Sequence, residues 1–164
     1  MPLLASTTPW QTRMKPAPEP GELRERALRL LARREHSRFE LARKLETAGF
    51  VRADIAVLLD QLEAKNWLSD QRFAESYVAD HRARAGSVKL AYDLRQRGVP
   101  DSVIDAVLSE NHGSEFERAR EVWKKKFGSA PADAPEKARQ IRFLQSRGFA
   151  AELIRRLIQD AERP

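Results

Sequence analysis

The chain has 164 residues, of which 33% are charged and 7% aromatic, with a net charge of +6 and no cysteine. Disulfide scaffolds, thiolate metal centres and cysteine nucleophiles are thereby excluded, and no apolar run reaches the roughly 20 residues that a membrane-spanning helix needs. The first residues, MPLLASTTPWQTRMK, lack the basic head and apolar stretch of a signal peptide, so the expected compartment is the cytoplasm, with no membrane partner.

Residues 1–21 contain five of the nine prolines, at positions 2, 9, 16, 18 and 20, and are expected to form a disordered arm. Trp10 within it is given no role. Helical periodicity starts at Glu22, with Leu23, Ala27, Leu30 and Leu31 along one stripe that ends near His36. Ser37 and Glu40 then form a capping box for a second helix carrying Leu41 and Leu45. Gly49 stops that helix in the left-handed conformation, and Phe50 packs back on the preceding turn. A third helix is expected from Ala53 to Lys65. The next unit opens at Ser69, where Leu68 and Phe73 have hydrophobic-staple spacing and Phe73, Tyr77 and His81 follow one turn apart. Its second helix runs from Ser87 to Gly98, and its third begins around Pro100, in the first helical turn. A last unit opens on a capping box, Ser114 to Glu117. It carries Phe116, Val122, Trp123 and Phe127, and GSAPADAPE is its long loop.

These elements are copies of one phrase. An apolar residue stands four before each of Gly49, Gly98 and Gly148 (Leu45, Leu94, Leu144), and another follows each glycine directly (Phe50, Val99, Phe149). At six, nine and ten residues beyond come Ile55, Leu58 and Leu59, then Ile104, Val107 and Leu108, then Ile154, Leu157 and Ile158. Self-similarity at this period marks stacked helical units. The expected fold is all-α, three tandem three-helix repeats in an elongated or curved array, over residues 22–67, 68–112 and 113–164. Function then belongs on an extended surface rather than in a pocket.

The constellations that carry catalysis are missing. His36, His81 and His112 have no metal-ligand spacing, the seven glycines build no phosphate cradle, and the carboxylates alternate with Arg and Lys as solvated faces do. Neither enzyme, metal site nor cofactor is expected. A binding surface is better supported, because residues 114–164 hold twelve Lys and Arg against eight Asp and Glu, which is +4 of the total. A basic excess of this kind suits nucleic acid or an acidic protein surface.

On the helix ending at Gly98, Leu90, Ala91 and Leu94 face inward, which turns Lys89, Tyr92 and Gln96 outward with Arg95 and Arg97 at the flanks. Tyr92 either offers a contact ring or covers a joint between units. On the equivalent third-unit helix, Ala138, Ile141 and Leu144 face inward and leave Phe143 outward among Arg139, Arg142 and Arg147, where the earlier units have Lys44 and Asp93. An exposed Phe among arginines is the leading contact candidate, the alternative being that the long loop shields it. Lys124, Lys125 and Lys126, with Arg155 and Arg156, extend the basic area, and Arg82 and Arg84 add to it from the second unit.

The runs Ser37, Glu40, Leu41, Lys44, Leu45 and Leu68, Ser69, Asp70, Phe73, Ala74, with the helix leading to Gly98, closely resemble the bacterial RecX regulatory family from about Glu22 to the C-terminus. The third repeat matches more loosely. The resemblance implies a nonenzymatic modulator of the RecA recombinase, made of three-helix repeats; a monomer is expected, with a weak self-contact through Phe143 or Tyr92 as the alternative. Such a protein binds the RecA filament on single-stranded DNA, lies in its helical groove and hinders extension. ATP hydrolysis, strand exchange and coprotease activity fall in consequence, and contact with single-stranded or duplex DNA itself is weak and nonspecific. Three-helix units also build helix-turn-helix regulators, although no helix here concentrates Asn, Gln and Arg on a reading face. A basic helical adaptor for another acidic protein is the third reading.

Overall fold

Caps and glycine turns divide the chain into nine helices among the described residues: α1 (Pro20–Arg33), α2 (Arg38–Thr47), α3 (Arg52–Ala64), α4 (Asp70–His81), α5 (Ser87–Gln96), α6 (Asp101–Ser109), α7 (His112–Lys126), α8 (Ala134–Ser146) and α9 (Ala151–Glu162). The structure, a computed structural model, describes residue 16 and residues 18–110 and 112–164, with the side chains of 112–114 left aside. Most of the expected N-terminal arm, including Trp10, lies outside those residues.

Side-chain oxygens of Ser37, Ser69 and Asp133 accept the backbone N–H three residues on and so start α2, α4 and α8. The three repeat glycines take φ of 98°, 74° and 83°. After each, the apolar residue donates its N–H back to the leucine carbonyl five residues earlier: Phe50 to Leu45 at 3.2 Å, Val99 to Leu94 at 3.1 Å and Phe149 to Leu144 at 3.3 Å. The glycine's own N–H meets the carbonyl three back, completing the Schellman pattern at all three turns.

Each repeat closes around its own core. Leu23 and Ala27 of α1 meet Leu41 and Leu45 of α2 and Ile55, Leu58, Leu59 and Leu62 of α3, with Leu68 closing the cluster. Phe73, Ala74 and Val78 meet Leu90, Leu94, Val99, Ile104 and Val107 in the second, and Ala119 and Trp123 meet Leu144, Phe149, Ile154, Leu157 and Ile158 in the third. Each fully buried Leu or Ile contributes about 1.5–3 kcal/mol. The extensive helix–helix packing lies within repeats, α1 to α3, α4 to α6 and α7 to α9, so neighbouring repeats meet only at their tips.

Several local expectations shift. α1 begins at Pro20, two residues before Glu22, because a proline is tolerated in a first turn that has no acceptor for its N–H. Pro100, at φ −62° and ψ 145°, is the N-cap of α6 rather than a member of its first turn. α7 starts at His112, which places Ser114 inside the helix instead of at its cap. α8 starts at Ala134, within the GSAPADAPE segment, since Asp133 caps it and Pro135 fits the first turn. Leu68 and Phe73 belong to different cores, so the staple spacing spans the junction between two repeats. Gln140, a polar residue, is buried on the inward stripe of α8: its Oε1 accepts from Trp123 Nε1 at 2.8 Å and its Nε2 donates to the Ser129 carbonyl at 3.2 Å.

Candidate partner-binding surface

The surface is organised by two joints of the same construction. In each, the N-terminus of one repeat's middle helix docks on the glycine turn of the next repeat. At the first joint, Ser37 Oγ accepts from Glu40 N at 3.1 Å and donates to the Arg97 carbonyl at 2.6 Å, while Asp70 accepts from Arg38 N at 2.8 Å. At the second, Gly86 N donates to the Arg147 carbonyl at 2.8 Å, Val88 N to the Gly148 carbonyl at 3.0 Å, and the buried Glu115 carboxylate accepts from Ser87 N at 2.8 Å. A carboxylate of the following repeat thus caps the preceding repeat's helix at both joints, which satisfies N–H groups a helix cannot bond internally. The approach is close enough that a Cβ on Gly98 would collide with Phe39, and one on Gly148 with Lys89.

Beside each joint lies an open cleft, and the two differ in charge. The first, about 430 Å³, is lined by Arg34 and Arg97 against Glu35, Glu40 and Asp80, with Phe73, Tyr77 and His81. Arg34, Arg97, Glu35 and Glu40, all but Asp80 of these charges, are engaged in ion pairs within the protein. Glu40 lies 3.1 Å from Arg34 and 3.7 Å from Arg97, and Tyr77 donates to Asp93 at 3.0 Å between a stacked His81 ring at 3.9 Å and the Arg97 guanidinium at 4.6 Å. Burial, and then that bond to a carboxylate, push the Tyr77 hydroxyl pKa above its ordinary value. Deep in the same joint, buried His36 accepts from Lys44 Nζ at 2.9 Å on Nε2, which leaves Nδ1–H to donate to the Arg34 carbonyl at 3.0 Å.

The second cleft, about 310 Å³, has the opposite balance. Arg84 enters from the α4–α5 loop, Lys125 and Lys126 from α7 and Arg147 from the end of α8, over Ala83, Val122 and Phe143, with Glu121 the single acid among the lining residues. That acid is engaged by Lys124 at 3.7 Å, whereas none of the four lining cations forms an ion pair among the described residues. Like charges held together without compensation raise the local potential and favour an anionic occupant.

The structure therefore gathers five sequence-selected residues, Arg84, Lys125, Lys126, Phe143 and Arg147, and disperses the rest. Phe143 is not the exposed ring expected: it is half-buried against the third core, with the Phe127 ring edge-on at 5.4 Å and the Lys126 and Arg147 cations 5.7 and 5.2 Å from its centroid. Phe127, in the turn directly after α7, shields it. Arg97 is spent in the first joint, so its guanidinium serves architecture. Lys89 packs its stem on Gly148 and directs its ammonium toward Asp93 at 3.7 Å, and Arg95 pairs with Asp101 at 2.8 Å. Tyr92 is 60% exposed beside Val88, and therefore covers no joint. Arg139 pairs with Glu136 and lies over Phe127, Arg155 reaches Glu152 at 4.0 Å, and Arg156 lies over Phe116 at 4.7 Å, and none of the three lines the groove. Arg82 and Arg142 are exposed, and Lys124 stands beside the groove with its Glu121 partner. Half-exposed Trp67, flanked by Arg24 at 5.7 Å and Lys65 at 5.1 Å, escaped the sequence reading because Arg24 approaches from a distant helix.

Among the described residues no group of His, Asp and Glu could hold a metal ion, and no helix is long and apolar enough to cross a membrane. The fold defines an all-α protein of three tandem three-helix repeats. Three family models match in series: the RecX first three-helix domain over residues 24–62, the second over 69–108 and the third over 114–158. The chain is 42% identical to the regulatory protein RecX of Ralstonia nicotianae over 144 residues, covering 88% of this chain and 91% of that one. It is 45% identical to that of Chromobacterium violaceum over 142 residues, covering 87% and 92%. The chain belongs to the RecX family, whose members are regulatory proteins and not enzymes. The crystal structure of RecX from Lactobacillus salivarius has the same fold, with a TM-score of 0.78 at 20% identity over 87% of this chain and 96% of that one.

Proposed function

We propose that this chain is a negative regulator of RecA that binds the RecA filament on single-stranded DNA, lies in its helical groove and hinders its extension. Loss of ATP hydrolysis, strand exchange and coprotease activity follows from that block. Membership of the RecX family over nearly the whole chain carries the reading. The two joints support it, since tip-to-tip hydrogen bonds hold three repeats in one array, and an array can touch several protomers of a helical polymer at once. Linked weak contacts gain strongly from effective concentration. The protein acts in the cytoplasm as a monomer, and its own contact with DNA is weak, nonspecific and screened by salt.

The test is RecA's single-stranded-DNA-dependent ATP hydrolysis, titrated with this protein at low and moderate salt. Inhibition far below one molecule per RecA indicates filament capping, and inhibition only near equal amounts indicates groove coating. No inhibition at either salt overturns the proposal and leaves an adaptor for another acidic protein.

A further inference from the structure

The groove between the second and third repeats combines two properties that rarely coincide on a solvated surface. Its walls carry Arg84, Lys125, Lys126 and Arg147 with no ion-pair partner among the described residues, and its floor is the apolar set Ala83, Val122 and Phe143. The quasi-equivalent cleft of the first joint, built on the same topology, consumes its own charges in the Arg34–Glu40 and Arg97–Glu40 pairs. The difference traces to individual positions. Where α8 places Phe143 five residues before its glycine, α5 places Asp93, which binds Tyr77 and fills the corresponding space with a satisfied polar group.

Cations alone would suit a nucleic acid strand, whose phosphates need charge and whose bases need an open ring face to stack on. Phe143 does not offer one. Its ring is half-buried, two cations already stand over it, and Phe127 meets it at an interplanar angle of 89°. What remains accessible is an apolar floor between basic walls. Such a site accepts a side chain that is itself apolar, on a backbone whose neighbouring residues are carboxylates.

We infer that this groove is a docking site for an acidic protein segment that inserts an aliphatic or aromatic side chain between Val122 and Phe143 and sets flanking carboxylates against Arg84, Lys125, Lys126 and Arg147. The inference rests on the reading of this surface as the protein's contact face and names the chemistry of what it contacts. Carboxylates flanking the insertion neutralise the four cations, and the apolar insertion gives a specificity that charge alone lacks.

The experiment is fluorescence anisotropy on the full chain with a labelled synthetic peptide in which a Phe–Leu pair is flanked by glutamates. A second peptide of the same charge has Ser–Ser at the centre, and a short labelled oligothymidylate is the nucleic-acid probe. The expected result is binding of the Phe–Leu peptide about tenfold tighter than the Ser–Ser peptide, weakened about tenfold or more by Arg84→Glu with Lys125→Glu. Arg26→Glu, on the exposed face of α1 in the first repeat, leaves peptide binding unchanged, and circular dichroism checks the fold of each variant. Equal binding of the two peptides overturns the inference. So does loss of oligothymidylate binding in the double variant with peptide binding retained, which makes the groove a nucleic-acid site. RecA-dependent ATP hydrolysis is read separately: peptide binding without RecA inhibition removes the function proposed above and leaves this site standing.

Discussion

Alanine at Gly148 separates the two demands that the repeat glycines meet. The first demand is conformational, a positive φ that costs an L-residue about 1–2 kcal/mol, and it applies alike at Gly49, Gly98 and Gly148. The second is space, and it differs between positions. A Cβ at Gly49 meets only Pro18 Cδ at 3.9 Å, whereas at Gly148 it would collide with Lys89 Cβ and lie 2.7 Å from the Lys89 backbone nitrogen. Backbone cannot rotate away as a side-chain end can, so the second joint must open. Opening it strains or breaks Gly86 N to Arg147 O and Val88 N to Gly148 O, each contributing about 1 kcal/mol net. Gly49→Ala is therefore expected to cost about 1–2 kcal/mol and Gly148→Ala about 3–4 kcal/mol. Urea denaturation followed by far-UV circular dichroism measures both. Equal costs for the two variants would show that the joint contributes nothing to stability and would refute its treatment as a rigid connection.

Two further predictions test buried polar groups. Burial holds the His36 imidazole below its ordinary pKa of 6.5, the Arg34 and Lys44 charges act in the same direction, and the hydrogen bond to the Arg34 carbonyl and the Glu40 charge oppose them. The unfolded chain thus takes up a proton more readily than the folded one, so this stability is fully present above the unfolded value and is lost as pH falls below it toward the lowered folded pKa. His36→Asn should flatten the acid slope of the urea midpoint in that window, and an unchanged slope would assign it to other groups. Gln140→Leu, which keeps the volume and removes the acceptor of Trp123 Nε1, should destabilise by about 1–3 kcal/mol in the same denaturation assay. An unaltered midpoint would mean that water replaces the amide.

The repeat period and the offsets around its glycines were enough to define the three cores. Leu45, Leu94 and Leu144 are fully buried, and of the nine residues beyond the glycines only Leu108 stays partly exposed. This follows because helical periodicity, capping and left-handed turns are local consequences of neighbouring residues. The α7 and α8 starts were displaced because several residues near each could cap or open a first turn, and helix ends are decided by small differences. The site was less legible. A helical wheel shows which way a residue points relative to its own core, and on that basis Phe143 is outward. Only tertiary structure brings Phe127 over it, spends Arg97 and Glu40 in the first joint, and leaves Arg84, Lys125, Lys126 and Arg147 without an ion pair among the described residues around the second. Charge compensation and the shielding of a ring depend on residues from different repeats, whose meeting is set by the docking of helix N-termini on Gly98 and Gly148 and not by any run of sequence.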